Sequence, residues 1–281
     1  MSIRLIIDST SDMPEKFRQE FTIVPLSVRF GTEEYIDGVT ITNHEFYEKL
    51  VESDALPTTS QPTPAAFAEV YQEAVDAGDE VIVLTLSSKL SGTYQSACIA
   101  ALDFKDQVSV IDTQNVTIGA TILALQALRL VKEGKSRKEI VDTLLSLRKR
   151  VHLVAMVDTL EYLKKGGRIS STMALAGTLL SIKPVLGIVD GEISMLGKAR
   201  GSKQGNNLLV KEIQAAGGVD FSMPVMLGYT GLSDALLQKY ISDSSALWAE
   251  SPTPLEFALV GSTVGTHVGP GAIAAAFFSK E

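Results

Sequence analysis

Three segments that follow apolar runs are dense in hydroxyls: Asp8-Ser9-Thr10-Ser11-Asp12, Ser87-Ser88-Lys89-Leu90-Ser91-Gly92-Thr93 and Asp112-Thr113-Gln114-Asn115. Such residues serve turns and caps in any protein. Three of them leaving successive predicted strands would nevertheless meet at one end of an open α/β sheet, where ligand crevices lie. Ser91-Gly92-Thr93 carries the most chemistry, because it opens a predicted helix and would present unpaired backbone N–H groups to an anion. Gly92 would allow close backbone approach, and Ser91 or Thr93 would donate a hydroxyl to a carboxylate or phosphate oxygen. Plain helix capping accounts for the same residues. Thr58-Thr59-Ser60-Gln61-Pro62-Thr63-Pro64 is a second hydroxyl-rich loop, stiffened by its prolines. Gly265-Thr266-His267-Val268-Gly269-Pro270-Gly271 places His267 in a glycine-rich loop, where it would donate to an oxyanion or act as a general base. His44 and His152 fall in a predicted helix and an apolar strand, which suits structural roles.

Charge and composition narrow the chemistry. The 281 residues carry 25 Lys+Arg against 33 Asp+Glu, a net charge of −8 that argues against a chain-wide phosphate-binding field and so against nucleic acid. Residues 164–203 run the other way: Lys164, Lys165, Arg168, Lys183, Lys198, Arg200 and Lys203 face only Asp190 and Glu192. That segment fits a phosphorylated ligand, an acidic partner surface or a solvated edge. The single cysteine, Cys98, excludes an internal disulfide, and with three histidines there is no metal-ligand spacing. No Gly-x-x-x-x-Gly-Lys-Ser/Thr motif is present, and Asp8 with Asp12 is a thin basis for a metal site, so ATP and Mg²⁺ are not expected on this chain. No apolar run reaches the ~18 residues of a membrane span. Met1-Ser2-Ile3-Arg4 leads straight into Leu5-Ile6-Ile7-Asp8 without a signal-peptide pattern, so the cytoplasm is the expected location.

The elements that must position these groups follow from periodicity. Residues 3–8, 80–86, 107–112 and 151–157 read as buried strands, alternating with helices over 42–53, 64–76, 92–104 and 118–133 and one opened by Ser136, around a mainly parallel sheet. Thr42-x-x-Glu45 and Ser136-x-x-Glu139 have the spacing of capping boxes. The composition changes after residue 157, which suggests lobes at 1–157 and 158–281. The second lobe holds a hairpin turn at Asp190-Gly191, strands near 223–229 and 255–260, and helices near 203–215 and 233–242. Residues 173–180 and 271–278 mix small and large apolar residues, as ordinary core or the wall of an apolar tunnel would.

Taken together, Asp8-Ser9-Thr10-Ser11-Asp12, Thr59-Ser60-Gln61-Pro62, Leu90-Ser91-Gly92-Thr93-Tyr94, Gly166-Gly167-Arg168-Ile169, Lys198-Ala199-Arg200 and Gly265-Thr266-His267-Val268-Gly269-Pro270-Gly271 resemble the DegV family over essentially the whole chain. Members of that family bind a long-chain fatty acid, and the best understood are the fatty-acid-binding subunits of bacterial fatty acid kinase. The resemblance implies two α/β lobes, an acyl tunnel in the second, and a carboxylate held at their junction by Thr59 and Ser91 with His267 beside them. Ser60, Gly92 and Thr93 belong to the same two motifs. Arg168 and Arg200 match arginines associated with kinase docking and phosphotransfer. The implied division of labour puts ATP and Mg²⁺ on a separate kinase subunit that phosphorylates a fatty acid such as palmitate to an acyl phosphate, in fatty acid metabolism or lipid transport. This chain is then a lipid-binding subunit without catalytic residues or cofactor, and with no integral membrane segment it would touch membranes transiently. The competing reading of the same residues is a serine hydrolase or acyltransferase with Ser91 as nucleophile, His267 as base and Asp8 or Asp112 as orienting acid, although no Gly-x-Ser-x-Gly elbow surrounds Ser91. A regulator or sugar-phosphate binder on the same fold is a third.

Overall fold

Continuous apolar runs form the first sheet. Its strands β1 (Ile3–Asp8), β2 (Thr22–Val24), β6 (Glu80–Thr85) and β7 (Val108–Asp112) pair in the order β2-β1-β6-β7, all parallel. A parallel sheet needs cover on both faces, and the side chains comply. Ile6, Val81 and Val83 pack beneath helices Pro64–Asp76 and Thr93–Ala100 through Phe67, Tyr71 and Ala97, while Leu5, Ile7, Ile82 and Leu84 point the other way. The computed structural model describes residues 2–53, 55–104, 106–170 and 182–281. Among them no helix is long and apolar enough to cross a membrane.

The second sheet contains β8 (Val151–Met156), β9 (Ile182–Val189), β10 (Glu192–Arg200), β11 (Met226–Tyr229), β12 (Glu256–Leu259) and β13 (Ile273–Phe278), in the order β10-β9-β8-β13-β11-β12. Only β11 and β12 run parallel. The strand expected over 151–157 forms, but its hydrogen bonds go to β13 and β9, so by sheet membership it belongs with the later strands. The turn at Asp190-Gly191 forms as expected, with φ of 50° and 84°, the pair of positive values that a two-residue hairpin of this hand needs. Helix Ile118–Lys132 lies between the two sheets. Its Ile118, Ile122 and Leu123 meet Leu84 and Ile111 of the first sheet and Leu153, Met226 and Ala276 of the second, in one shared core. The far face of the second sheet is closed by Leu209, Ile213, Leu237 and Tyr240, from helices Gly201–Ala215 and Ala235–Asp243.

Both capping boxes are present: Thr42 and Ser136 each accept from the backbone three residues on, and Glu45 and Glu139 reach back. Two segments depart from expectation. The loop expected at 58–64 begins as a strand, β5 (Thr58–Ser60), which joins β3 (Ser27–Phe30) and β4 (Glu33–Ile36) in a small antiparallel sheet of order β4-β3-β5. Of the glycine-rich segment 265–271, the part that carries His267 is helical, in a helix Ser262–Val268, and only Gly269-Pro270-Gly271 is loop, with φ of 75° at Gly269 and 81° at Gly271. Gly265 is needed inside the helix for packing: a Cβ there would lie 2.7 Å from Phe46 and 2.6 Å from Tyr47, so this glycine lets the helix rest on helix Asn43–Glu52.

Candidate functional site

The small sheet and the helix Ser262–Val268 meet at one hydrogen bond. Thr59, opposite Val28 in the β3–β5 register, places its Oγ1 2.9 Å from Nε2 of His267 in the last turn of that helix. The other ring nitrogen is buried and, among the described residues, unpartnered. It lies against Gly166, where a Cβ would come within 2.2 Å of Nδ1. Burial, reinforced by the nearby Arg168 guanidinium, lowers His267 to about 4, so the imidazole is neutral near pH 7.

Ser91 approaches from the first sheet's side, just before helix Thr93–Ala100. Its Oγ sits 2.9 Å from Thr93 Oγ1 and accepts from the Thr93 backbone N–H at 3.3 Å, while the N-cap position itself is held by Gly92. The hydroxyl also lines a pocket together with Thr10, Thr59, Leu90, Arg168 and His267. Arg168 is half-buried there and donates to the carbonyls of Leu90 (3.2 Å) and Gly166 (2.6 Å). It also lines an outer depression with Lys89, Glu192 and Ile193, and so stands between the pocket and the surface. Three predicted site residues lie off the pocket wall. Strand alternation puts Ser60 outward and exposed, Gly92 sits under the Gln61 side chain, and Thr93 is buried with its hydroxyl on Ser91. Arg200 is exposed at the end of β10, where its backbone N–H donates to Gln204, and is not in the pocket wall. Part of the basic segment is neutralised locally, through Lys165–Glu161 and Lys183–Asp158 ion pairs.

Beside this pocket, which carries its polar groups among Leu and Val side chains, lies a second, apolar cavity. The two share Val116, Leu163, Ile193, Val264 and Val268 as lining residues, so they lie side by side. The cavity floor is the second sheet, where Gly228, Ala274 and Ala155 pair side by side across β11, β13 and β8. Three small residues in one cross-strand row hollow the sheet where large ones would fill it. Ala155 shows the consequence, remaining partly accessible on an interior strand. Residues 272–274 of the expected tunnel segment line this cavity, whereas residues 173–180 fall outside the described residues.

The serine-hydrolase arrangement is not assembled. Ser91 bonds Thr93 rather than His267, and His267 Nε2 is engaged by Thr59. Asp8 is turned to Thr10 and the Leu86 N–H, Asp112 to the N–H groups of Ser88 and Gln114, and neither reaches His267. Among the described residues no group of His, Cys, Asp and Glu is placed to hold a metal ion.

Sequence reasoning missed Asp37, one of the carboxylates that hold the site's frame. Asp37 accepts from Ser262 and Thr263 at the start of the His267 helix, and Asp12 accepts from the Gly261 N–H at 2.7 Å and from the Thr117 hydroxyl. Burial raises Asp8 to about 6 and Asp12 to about 8, against the hydrogen bonds each accepts, with the neighbouring carboxylates adding to the rise. The Asp8-Ser9-Thr10-Ser11-Asp12 motif pointed to this cluster, but nothing in the sequence brought Asp37 to it.

Comparison with known proteins places this geometry. A DegV domain-containing protein of Deinococcus radiodurans is 38% identical over 98% of both chains, and one from Caldanaerobacter subterraneus subsp. tengcongensis is 35% identical over 99% of both. Among solved structures, a DegV family protein from Thermus thermophilus, described for its fatty acid binding, superposes with a TM-score of 0.89 at 35% identity, covering 100% of each chain. DegV of Bacillus subtilis, described as a fatty acid binding protein, gives 0.84 at 31% identity, again over 100% of each. The family model for the uncharacterised DegV proteins matches residues 2–280, so with its two lobes, its hydroxyl-lined pocket and the apolar space behind it this chain belongs to the DegV family.

Proposed function

We propose that this chain binds a long-chain fatty acid, such as palmitate, with its tail in the cavity floored by Gly228, Ala274 and Ala155 and its carboxylate at Thr59, Ser91 and His267. The observation that carries the reading is that the pocket holding Thr59, Ser91 and His267 adjoins, across shared lining residues, a cavity walled mostly by apolar side chains, an arrangement suited to a single amphiphile. The fatty acid binding described for the Thermus thermophilus and Bacillus subtilis proteins supports it. The energetics match. Each buried methylene contributes about 0.8 kcal/mol, so a long tail supplies affinity while the head group needs only donors. Hydroxyls meet that need, and Thr59 and Ser91 supply them in the pocket wall.

In the fuller form of the proposal, this cytoplasmic chain presents the carboxylate to a separate ATP-binding kinase subunit, which phosphorylates it to an acyl phosphate. Arg168 and Arg200 serve docking or phosphotransfer, and ATP and Mg²⁺ stay on the partner. Arg168 at the pocket mouth is well placed for that task, and Arg200 is exposed for contact. The test is reconstitution with the kinase subunit, palmitate and ATP, trapping acyl phosphate with hydroxylamine. Product should form only when both proteins are present, and Arg168→Ala or Arg200→Ala should bind palmitate yet yield little product. Full product from both arginine variants would remove them from that role, and product without the kinase would place the chemistry on this chain.

A further inference from the structure

Thr59 and His267 are 208 residues apart in sequence and sit on different lobes, yet one hydrogen bond joins them. Their alignment must therefore be fixed by something that holds both elements. The small sheet supplies half of it: Ser27 on the middle strand pairs with Ser60 on one side and Ile36 on the other, so Thr59 and Asp37 flank a single cross-strand row. Asp37 is 3% exposed, and its own N–H donates to Leu26 at 3.0 Å. Its side chain supplies the other half. One carboxylate oxygen accepts from the Ser262 backbone (3.2 Å) and hydroxyl (2.5 Å), and the other from Thr263 Oγ1 (2.7 Å) and Ser9 Oγ (2.9 Å). The helix needs this. Its N-cap, Gly261, has no side chain, and a seven-residue helix has most of its backbone N–H groups at the unpaired end. Asp37 therefore caps from another lobe the helix whose last turn carries His267.

We infer that Asp37 is the positioning residue of the head-group site: by capping the helix Ser262–Val268 from the sheet that carries Thr59, it sets the Thr59–His267 contact and with it the preference for a carboxylate head. The inference rests on the proposed fatty acid site, and it does not place Asp37 in contact with the ligand. A residue that merely stabilised the fold would affect every ligand alike. A residue that sets the head-group geometry affects a fatty acid and spares the alcohol of the same chain length, whose tail makes the same contacts.

The experiment compares palmitate and hexadecan-1-ol binding to wild type, Asp37→Asn and Asp37→Ala, and follows the His267 imidazole nitrogens by NMR in the ligand-free proteins. Asp37→Ala should weaken palmitate about tenfold, the scale of losing a helix cap, leave the alcohol within about twofold, and shift the His267 Nε2 resonance. Asp37→Asn, which keeps the shape and one acceptor oxygen, should fall between. If Asp37→Ala does not fold, Thr263→Val and Ser262→Ala remove the donors instead and should show the same selectivity. Equal losses for acid and alcohol, or an unmoved His267 resonance in the folded variants, would overturn the inference. A wild-type protein that prefers neither ligand would instead refute the fatty acid site, and the ligand-free NMR comparison would still decide whether Asp37 positions His267.

Discussion

Filling the cavity floor separates the tail site from the head-group site. Ala274 lies at the middle of the Gly228–Ala274–Ala155 row, and replacing it with leucine puts three more carbons into the cavity. Those carbons occupy space that a bound tail would use, displacing roughly three methylenes of burial. At about 0.8 kcal/mol each this amounts to about 2.4 kcal/mol, or roughly sixtyfold in Kd. Because the head-group residues lie elsewhere, palmitate and hexadecan-1-ol should weaken together, the opposite of the pattern set by Asp37. The ligand-free protein should be as stable as wild type or more so, since the new side chain fills a void. The neighbouring Ala275→Leu is the control. Ala275 is fully buried on the opposite face against the Leu209 and Ile213 side, so the same change there overpacks a filled core and costs about 1–3 kcal/mol of stability. Binding is measured by displacement of a fluorescent fatty acid, and stability by thermal unfolding. A folded Ala274→Leu protein that binds palmitate as tightly as wild type would show that the tail does not lie over this row.

Other perturbations probe the polar end and the frame. Thr59→Val combined with Ser91→Ala removes two hydroxyls from the pocket wall and, on the proposed reading, should weaken palmitate by about 1.5–3 kcal/mol for each charge-assisted hydrogen bond lost, with hexadecan-1-ol changed far less in the same displacement assay. Gly166→Ala drives a Cβ to within 2.2 Å of His267 Nδ1, so the ring must shift; expect at least tenfold weaker palmitate binding and a displaced His267 in a crystal structure of the variant. Burial holds Asp12 near 8, far above its unfolded value of 3.8, so the folded protein binds the extra proton and stability falls as pH rises through 8. His267, whose folded value near 4 lies below its unfolded 6.5, contributes the opposite slope only below about pH 6.5, which leaves the window above it to Asp12. Denaturant unfolding of wild type from about pH 6.5 to about pH 9 should therefore show declining stability, and Asp12→Asn should flatten the decline; an unchanged slope would remove Asp12 as its source.

How much of this was legible in the sequence depended on the range of the signal. Continuous runs such as Glu80–Thr85 announce buried parallel strands, and the capping spacings of Thr42 and Ser136 fix helix starts, because both are local. β3, β4 and β5 are hard to read because each is three or four residues of mixed polar character, held by one another and by side-chain packing against helices distant in sequence. The helix around His267 was hidden by its own glycine, needed for packing rather than for a turn. Thr59, Ser91 and His267 stand out in the sequence as chemically apt residues, and the family resemblance groups them, but their meeting in one pocket depends on sheet pairings that composition does not encode. The cavity is the clearest case. Gly228, Ala274 and Ala155 are unremarkable one by one, and become a floor only when three strands distant in sequence fall into register. Asp37 was unreadable for the same reason, since its partners lie 225 and 226 residues away.

The central claim, that one long-chain fatty acid occupies this pocket and cavity, is tested most directly by what the protein carries out of the cell. Purified protein is denatured and extracted with organic solvent, and the released lipids are identified by mass spectrometry beside a mock purification and the Ala274→Leu variant. The account predicts near-stoichiometric long-chain fatty acid from wild type and a marked loss from the variant. No lipid above the mock control, followed by failure to bind added fatty acid, would contradict it.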